Sequence, residues 1–109
     1  MSNEYRPVKA NAKGVTDIQI DFHYSLGGYS YATYKPYPRG YYVNVTPVTI
    51  KDEGTWRSVS FTAFTGYSYI IKEVSRKSNK AEAEARAIAD SRIGQFLQEV
   101  CERNGLELA

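Results

Sequence analysis

The chain has 109 residues, a net charge of +2, 42% hydrophobic and 24% charged residues. That leaves little room beyond one globular domain with one modest core, and the net charge is too small to argue for nucleic acid by itself. A single cysteine, Cys101, excludes an internal disulfide and fits a reducing compartment. The opening MSNEYRPVKANAKG lacks the apolar core of a signal peptide, and no apolar run approaches the roughly 18 residues of a bilayer span. A cytoplasmic location with no membrane partner is therefore expected, and Asn44-Val45-Thr46 reads as a chance glycosylation sequon. Tyrosine is over-used, ten residues against four Phe and one Trp. Its apolar ring and polar tip suit half-wet surfaces.

Residues 1–14 carry Arg6, Lys9 and Lys13, Pro7 and little apolar content. They read as a flexible tail, leaving 15–109 as one domain. Over 15–24, Thr16, Ile18, Ile20, Phe22 and Tyr24 alternate with Asp17, Gln19, Asp21 and His23. This is the period of a strand with one buried and one wet face. Gly27 and Gly28 end it. The stretch 29–42, YSYATYKPYPRGYY, interleaves tyrosines with Lys35, Pro36, Pro38 and Arg39. The prolines disfavour helix and a central strand, so a short strand at 29–34 and an extended loop to Arg39 are expected. Residues 41–50 read as a strand whose second half Pro47 assigns to an edge or a bulge. Asp52-Glu53-Gly54 is a hairpin turn, 55–64 the next strand, Thr65-Gly66 a further turn and 67–75 a last strand. The facing of that last strand is ambiguous because Tyr69, Ile70 and Ile71 are adjacent.

The segment after Asn79 is rich in strong helix formers. Asn79 reads as the N-cap with Glu82 completing a capping box, and Gly105 as the terminator. Ala85, Ile88, Ala89, Ile93, Phe96, Leu97 and Val100 form the apolar stripe. The expected fold is α+β: an antiparallel β-meander of about four strands with one long C-terminal helix packed on one face.

No phosphate loop, GxGxxG or nucleophile elbow occurs, so a non-enzymatic role without a cofactor is expected. His23, the one histidine, shares a strand face with Asp21. A metal needs three or four ligands and no second histidine exists, so no metal site is assigned. Cys101 falls in the last helical turns, away from an activating N-terminus, and reads as a packing residue.

Two surfaces carry chemistry. Arg76, Lys77, Ser78 and Lys80 lead into the helix, where free N–H groups and the positive dipole end favour phosphate. A solvated strand-to-helix loop is the competing reading. Tyr29, Tyr31, Tyr34 and Tyr37, with Lys35 and Arg39, suit base stacking and phosphate pairing. They equally suit a protein partner, or packing over the sheet. A third feature is the row of small residues Ala83, Ala87, Gly94 and Cys101, a side that admits a close neighbour. One helix covers one sheet face. The other face, with Trp56, Phe64 and several tyrosines, is expected to need either the folded-back tyrosine loop or a second copy.

The segment SRKSNKAEAEARAIA over 75–89 resembles double-stranded RNA-binding domains, in which a three-stranded meander leads into a helix opened by basic residues and an alanine run. Two features depart from that family. Its N-terminal helix is replaced by the Ile18/Ile20/Phe22 strand, and its GPxH-type loop is missing. The resemblance is one of architecture and implies contact with nucleic acid at the helix start.

These readings converge on a small non-enzymatic binding module that contacts nucleic acid through the basic helix start and the tyrosine loop. A protein-interaction or homodimerisation module using the tyrosines and the exposed sheet face is the alternative. An enzyme is the third.

Overall fold

A computed structural model describes residues 3–31, 33–52, 54–61 and 66–109. In chain order the elements are β1 (Asn3–Pro7), β2 (Asp17–Ser25), β3 (Gly28–Ser30), β4 (Lys35–Tyr37), β5 (Gly40–Asp52), β6 (Arg57–Phe61), β7 (Tyr67–Glu73) and α1 (Asn79–Asn104). The α+β class is as expected, but the main sheet has five strands, and β3–β4 form a separate hairpin.

β5 is the spine, a 13-residue strand rich in β-branched residues. β2 pairs along one edge of it, and β1 pairs outside β2. Its other edge is shared end to end: β6 pairs residues 48–52 and β7 pairs residues 40–45, both antiparallel. The chain therefore runs in the same direction in β6 and in β7, and the turn expected at Thr65-Gly66 falls partly outside the described residues. Thr65, like Thr62, Ala63 and Phe64 of the expected strand 55–64, lies outside the described residues, as does Glu53.

Pro47 corrects another expectation. It is buried within the central strand, opposite Ile18, and not at an edge. The reason is local. Pro47 sits between Val45, the last residue paired to β7, and Val48, the first paired to β6. A residue with no backbone N–H is tolerated where the partner strand changes.

The stretch expected as a tail contributes β1. Tyr5 faces Gln19, Arg6 faces Ile18, and Val8 is buried. Val8 also bridges Leu108, and the Lys9 N–H donates to the Glu107 carbonyl at 2.8 Å, so both chain ends meet.

The core lies between the sheet and α1. Ile18, Ile20 and Phe22 of β2 face it with Tyr41, Val43 and Val45 of β5 and Ile71 of β7. The helix returns Ala85, Ala89, Phe96, Leu97, Val100 and Cys101. Small Ala85 and Ala89 let the first half approach the sheet closely. Phe96 stacks on Tyr69, with ring centroids 4.0 Å apart and planes at 13°. Burying each such large side chain contributes about 1.5–3 kcal/mol before entropy is charged. This packing settles the facing of β7. Tyr67, Tyr69 and Ile71 turn to the helix, and Ile70 turns out with 39% of its surface exposed.

The helix cap is one residue earlier than expected. Ser78 is extended (φ −152°, ψ 156°) and its hydroxyl accepts from the Ala81 N–H at 3.1 Å. Asn79 is already helical, so Glu82 stands one position too far on to complete a capping box. Gly105, at φ 66°, ends the helix, and the Leu106 N–H reaches back to the Cys101 carbonyl at 2.8 Å.

Candidate functional site

The chain between β2 and β5 makes the hairpin β3–β4 at the end of the sheet where β5 begins. Two glycines hold its base. At Gly27 (φ 81°) a side chain would meet the Arg39 nitrogen and the Tyr37 carbonyl at 3.0 Å. At Gly40 it would collide with the Lys72 carbonyl, so β5 starts in close contact with β7.

Arg39 lies between them and joins three segments. Its Nε donates to the Leu26 carbonyl at 3.2 Å and its Nη1 to the Ser75 carbonyl at 3.3 Å. Its own carbonyl accepts from the Val74 N–H at 3.1 Å. Next to it, the Tyr41 hydroxyl donates to the Ser78 carbonyl at 3.3 Å. The base of the tyrosine hairpin and the loop carrying Arg76, Lys77 and Ser78 therefore share one end of the molecule, with Lys80 in the first helical turn. All four are exposed, as is Lys35 on β4, and among the described residues none of the four cations forms an ion pair. Lys72, by contrast, is paired with Glu84 at 3.1 Å.

The tyrosines divide sharply. Tyr41 is fully buried under the helix. Tyr42 is buried on the opposite face, where its hydroxyl donates to the Pro38 carbonyl at 2.6 Å. Burial, then Tyr37 and Glu73, push its pKa above the ordinary phenol value, which keeps that donor protonated. Tyr29, Tyr31, Tyr34 and Tyr37 stay exposed, by 49, 80, 75 and 40%. Tyr29 and Tyr31 meet edge to face at 5.2 Å. Tyr34 holds a left-handed backbone (φ 56°) in the hairpin turn, a conformation that costs an ordinary residue about 1–2 kcal/mol.

The other candidates lie elsewhere. Trp56, 58% exposed, precedes the β6 residue that pairs with Asp52. That is the far end of β5, roughly 40 Å from Gly40 at strand rise, so Trp56 cannot share the tyrosine surface. Gly94 faces open space on the outer side of α1 with Ala83 and Ala87, but Cys101 turns inward. The small-residue row is thus broken. Burial raises the Cys101 thiol pKa, which suits packing and opposes nucleophilic chemistry.

The sheet face away from the helix is more polar than expected. Tyr24, Tyr41, Tyr67 and Tyr69 pack toward the helix, leaving Gln19, Asp21, His23, Asn44 and Ser68 on the other side beside Tyr42 and Ile70. Asp21 Oδ2 lies 3.7 Å from His23 Nδ1, and among the described residues no group of three His, Cys, Asp or Glu converges. Among the described residues no helix is long and apolar enough to cross a membrane. Sequence reasoning missed the link made by Arg39, because nothing along the chain signals that residue 39 meets residue 75. No family model matches the chain, and no curated protein or solved structure matches it either.

Proposed function

We propose that the chain is a non-enzymatic module that binds single-stranded nucleic acid where the tyrosine hairpin adjoins the basic loop. The observation that carries this reading is the double hydrogen bond of Arg39 to the carbonyls of Leu26 and Ser75. It ties the base of the hairpin that carries the exposed rings to the loop that carries the unpaired cations, at one end of the molecule. Rings offer sequence-tolerant stacking, and Lys35, Arg39, Arg76, Lys77 and Lys80 offer charge to the phosphates. Duplex is disfavoured because its bases present no open faces to a ring.

The test is equilibrium binding of a labelled single strand of about 12 nucleotides, within the span of one small module, against its duplex. The single strand should bind more tightly. Replacing Tyr29, Tyr31 and Tyr34 together by Ala should cost about tenfold or more, since one stacked base contributes about 1–3 kcal/mol. Equal binding of duplex, or an unaffected triple variant, sinks the reading.

A second reading rests on the same exposure. Leu26, at 71%, with Tyr29, Tyr31 and Tyr34 forms an anchor surface for a protein or a second copy of the chain. A molar mass that rises with concentration, and falls to one chain in the tyrosine variant, would favour it.

A further inference from the structure

The hairpin does not lie flat on the sheet. Between it and the face opposite α1 is a cavity of about 390 Å³, lined by His23, Ser25, Ser30, Thr33, Tyr37, Tyr42 and Ser68. That volume is in the range of small-molecule pockets, about 300–1,000 Å³. Three of its walls are rings. His23 and Tyr42 stack on each other with centroids 6.0 Å apart and planes at 21°. Tyr37 stands at 90° to Tyr42, 6.2 Å away, and closes a corner. The remaining walls are hydroxyls. Ser30 Oγ accepts from the Thr33 N–H at 3.4 Å, which leaves its own proton to donate. Among the described residues no Lys, Arg, Asp or Glu lines the cavity, so an anion would enter without a compensating charge.

Behind His23 sits Asp21. Its Oδ1 and the His23 Nδ1 are buried and have no hydrogen-bond partner among the described residues. Unpartnered buried polar atoms are uncommon, and here they adjoin the cavity wall. The other Asp21 oxygen, Oδ2, stands 3.7 Å from His23 Nδ1, beyond hydrogen-bond distance.

From this corner we infer that the cavity takes one unstacked nucleobase of a bound single strand. The ring lies against the wall of His23 and Tyr42, and its edge turns to the hydroxyls of Ser30, Thr33 and Ser68. Flat rings with donors and acceptors along one edge suit a site that stacks on one side and offers hydroxyls on another. The inference rests on the single-strand reading for the rest of the strand, whose phosphates lie along Arg39 and the basic loop.

The test uses free nucleosides, which carry no phosphate. His23 is the one histidine, so its imidazole protons report the cavity directly by NMR. Adenosine, guanosine, cytidine and uridine are titrated in turn into the wild type and into Ser68→Tyr, which fills the cavity from the β7 wall. At least one nucleoside should give a saturable His23 shift, weakened about tenfold or more in the variant, the size of one lost stacked base. Thr33→Tyr, which narrows the cavity from the hairpin, should act alike, and both variants should keep wild-type binding of an abasic oligonucleotide. No His23 shift with any nucleoside, a shift unchanged in both variants, or an equal shift with glucose would overturn the inference. A nucleoside shift with no oligonucleotide binding sinks the single-strand reading while supporting the cavity; the reverse pattern sinks the cavity alone.

Discussion

Replacing Phe96 by Ala is expected to destabilise the chain by about 3–5 kcal/mol. The ring is 1% exposed and stacks on Tyr69, and the Arg92 guanidinium covers it 4.8 Å from its centroid. Its loss removes the transfer energy of an aromatic side chain and leaves a hole bounded by β7 and α1. Neither wall can collapse freely, because Tyr69 belongs to a paired strand and Phe96 to a helix held at both ends by Ser78 and Gly105. A domain of this size is stable by about 5–15 kcal/mol in total, so the variant should unfold at much lower urea with an unchanged slope. A loss below about 1 kcal/mol would mean that the second half of the helix is not docked on β7.

Replacing Arg76, Lys77 and Lys80 together by Ala should weaken binding of single strands of every sequence alike. It should also flatten the dependence of log affinity on log salt. Each phosphate contact on a single strand contributes about 0.7 to that slope, so three lost contacts reduce it by about 2. The helix itself should survive, since its cap is the Ser78 hydroxyl and none of the three side chains is buried. An unchanged slope in a folded variant would show that phosphates lie elsewhere on the molecule. Loss of affinity for one sequence only would show a base contact where a phosphate contact is expected.

The elements most legible in the sequence were those whose pattern is local. The alternation from Ile18 to Tyr24 set β2 and its buried face, and the run of helix formers closed by Gly105 set α1 and most of its packing stripe, although Ile88 of that stripe is exposed and Cys101 is buried in its place. Where tertiary structure overrides local preference, sequence reading went astray. Pro47 argues for an edge, yet it sits in the central strand because two strands share one side of β5. The adjacent Tyr69, Ile70 and Ile71 leave the facing of β7 ambiguous along the chain, and packing against α1 decides it, with Tyr69 and Ile71 in and Ile70 out. The residues 3–7 look polar, but they need only one partner strand, and β2 offers its free edge. For the site, residue identities were visible and their meeting was not. Arg39 and Ser75 are joined by folding alone, as are Tyr37 and His23 across the cavity.

The most direct test of the single-strand account is ultraviolet crosslinking of a short single strand carrying 5-iodouracil, followed by peptide mapping. A ring stacked on the halogenated base is the residue that reacts. The account predicts adducts on Tyr29, Tyr31, Tyr34 or Tyr37, lost in excess unlabelled single strand and retained in excess duplex. Adducts confined to Trp56 or Tyr5, at sites away from the hairpin, would contradict it.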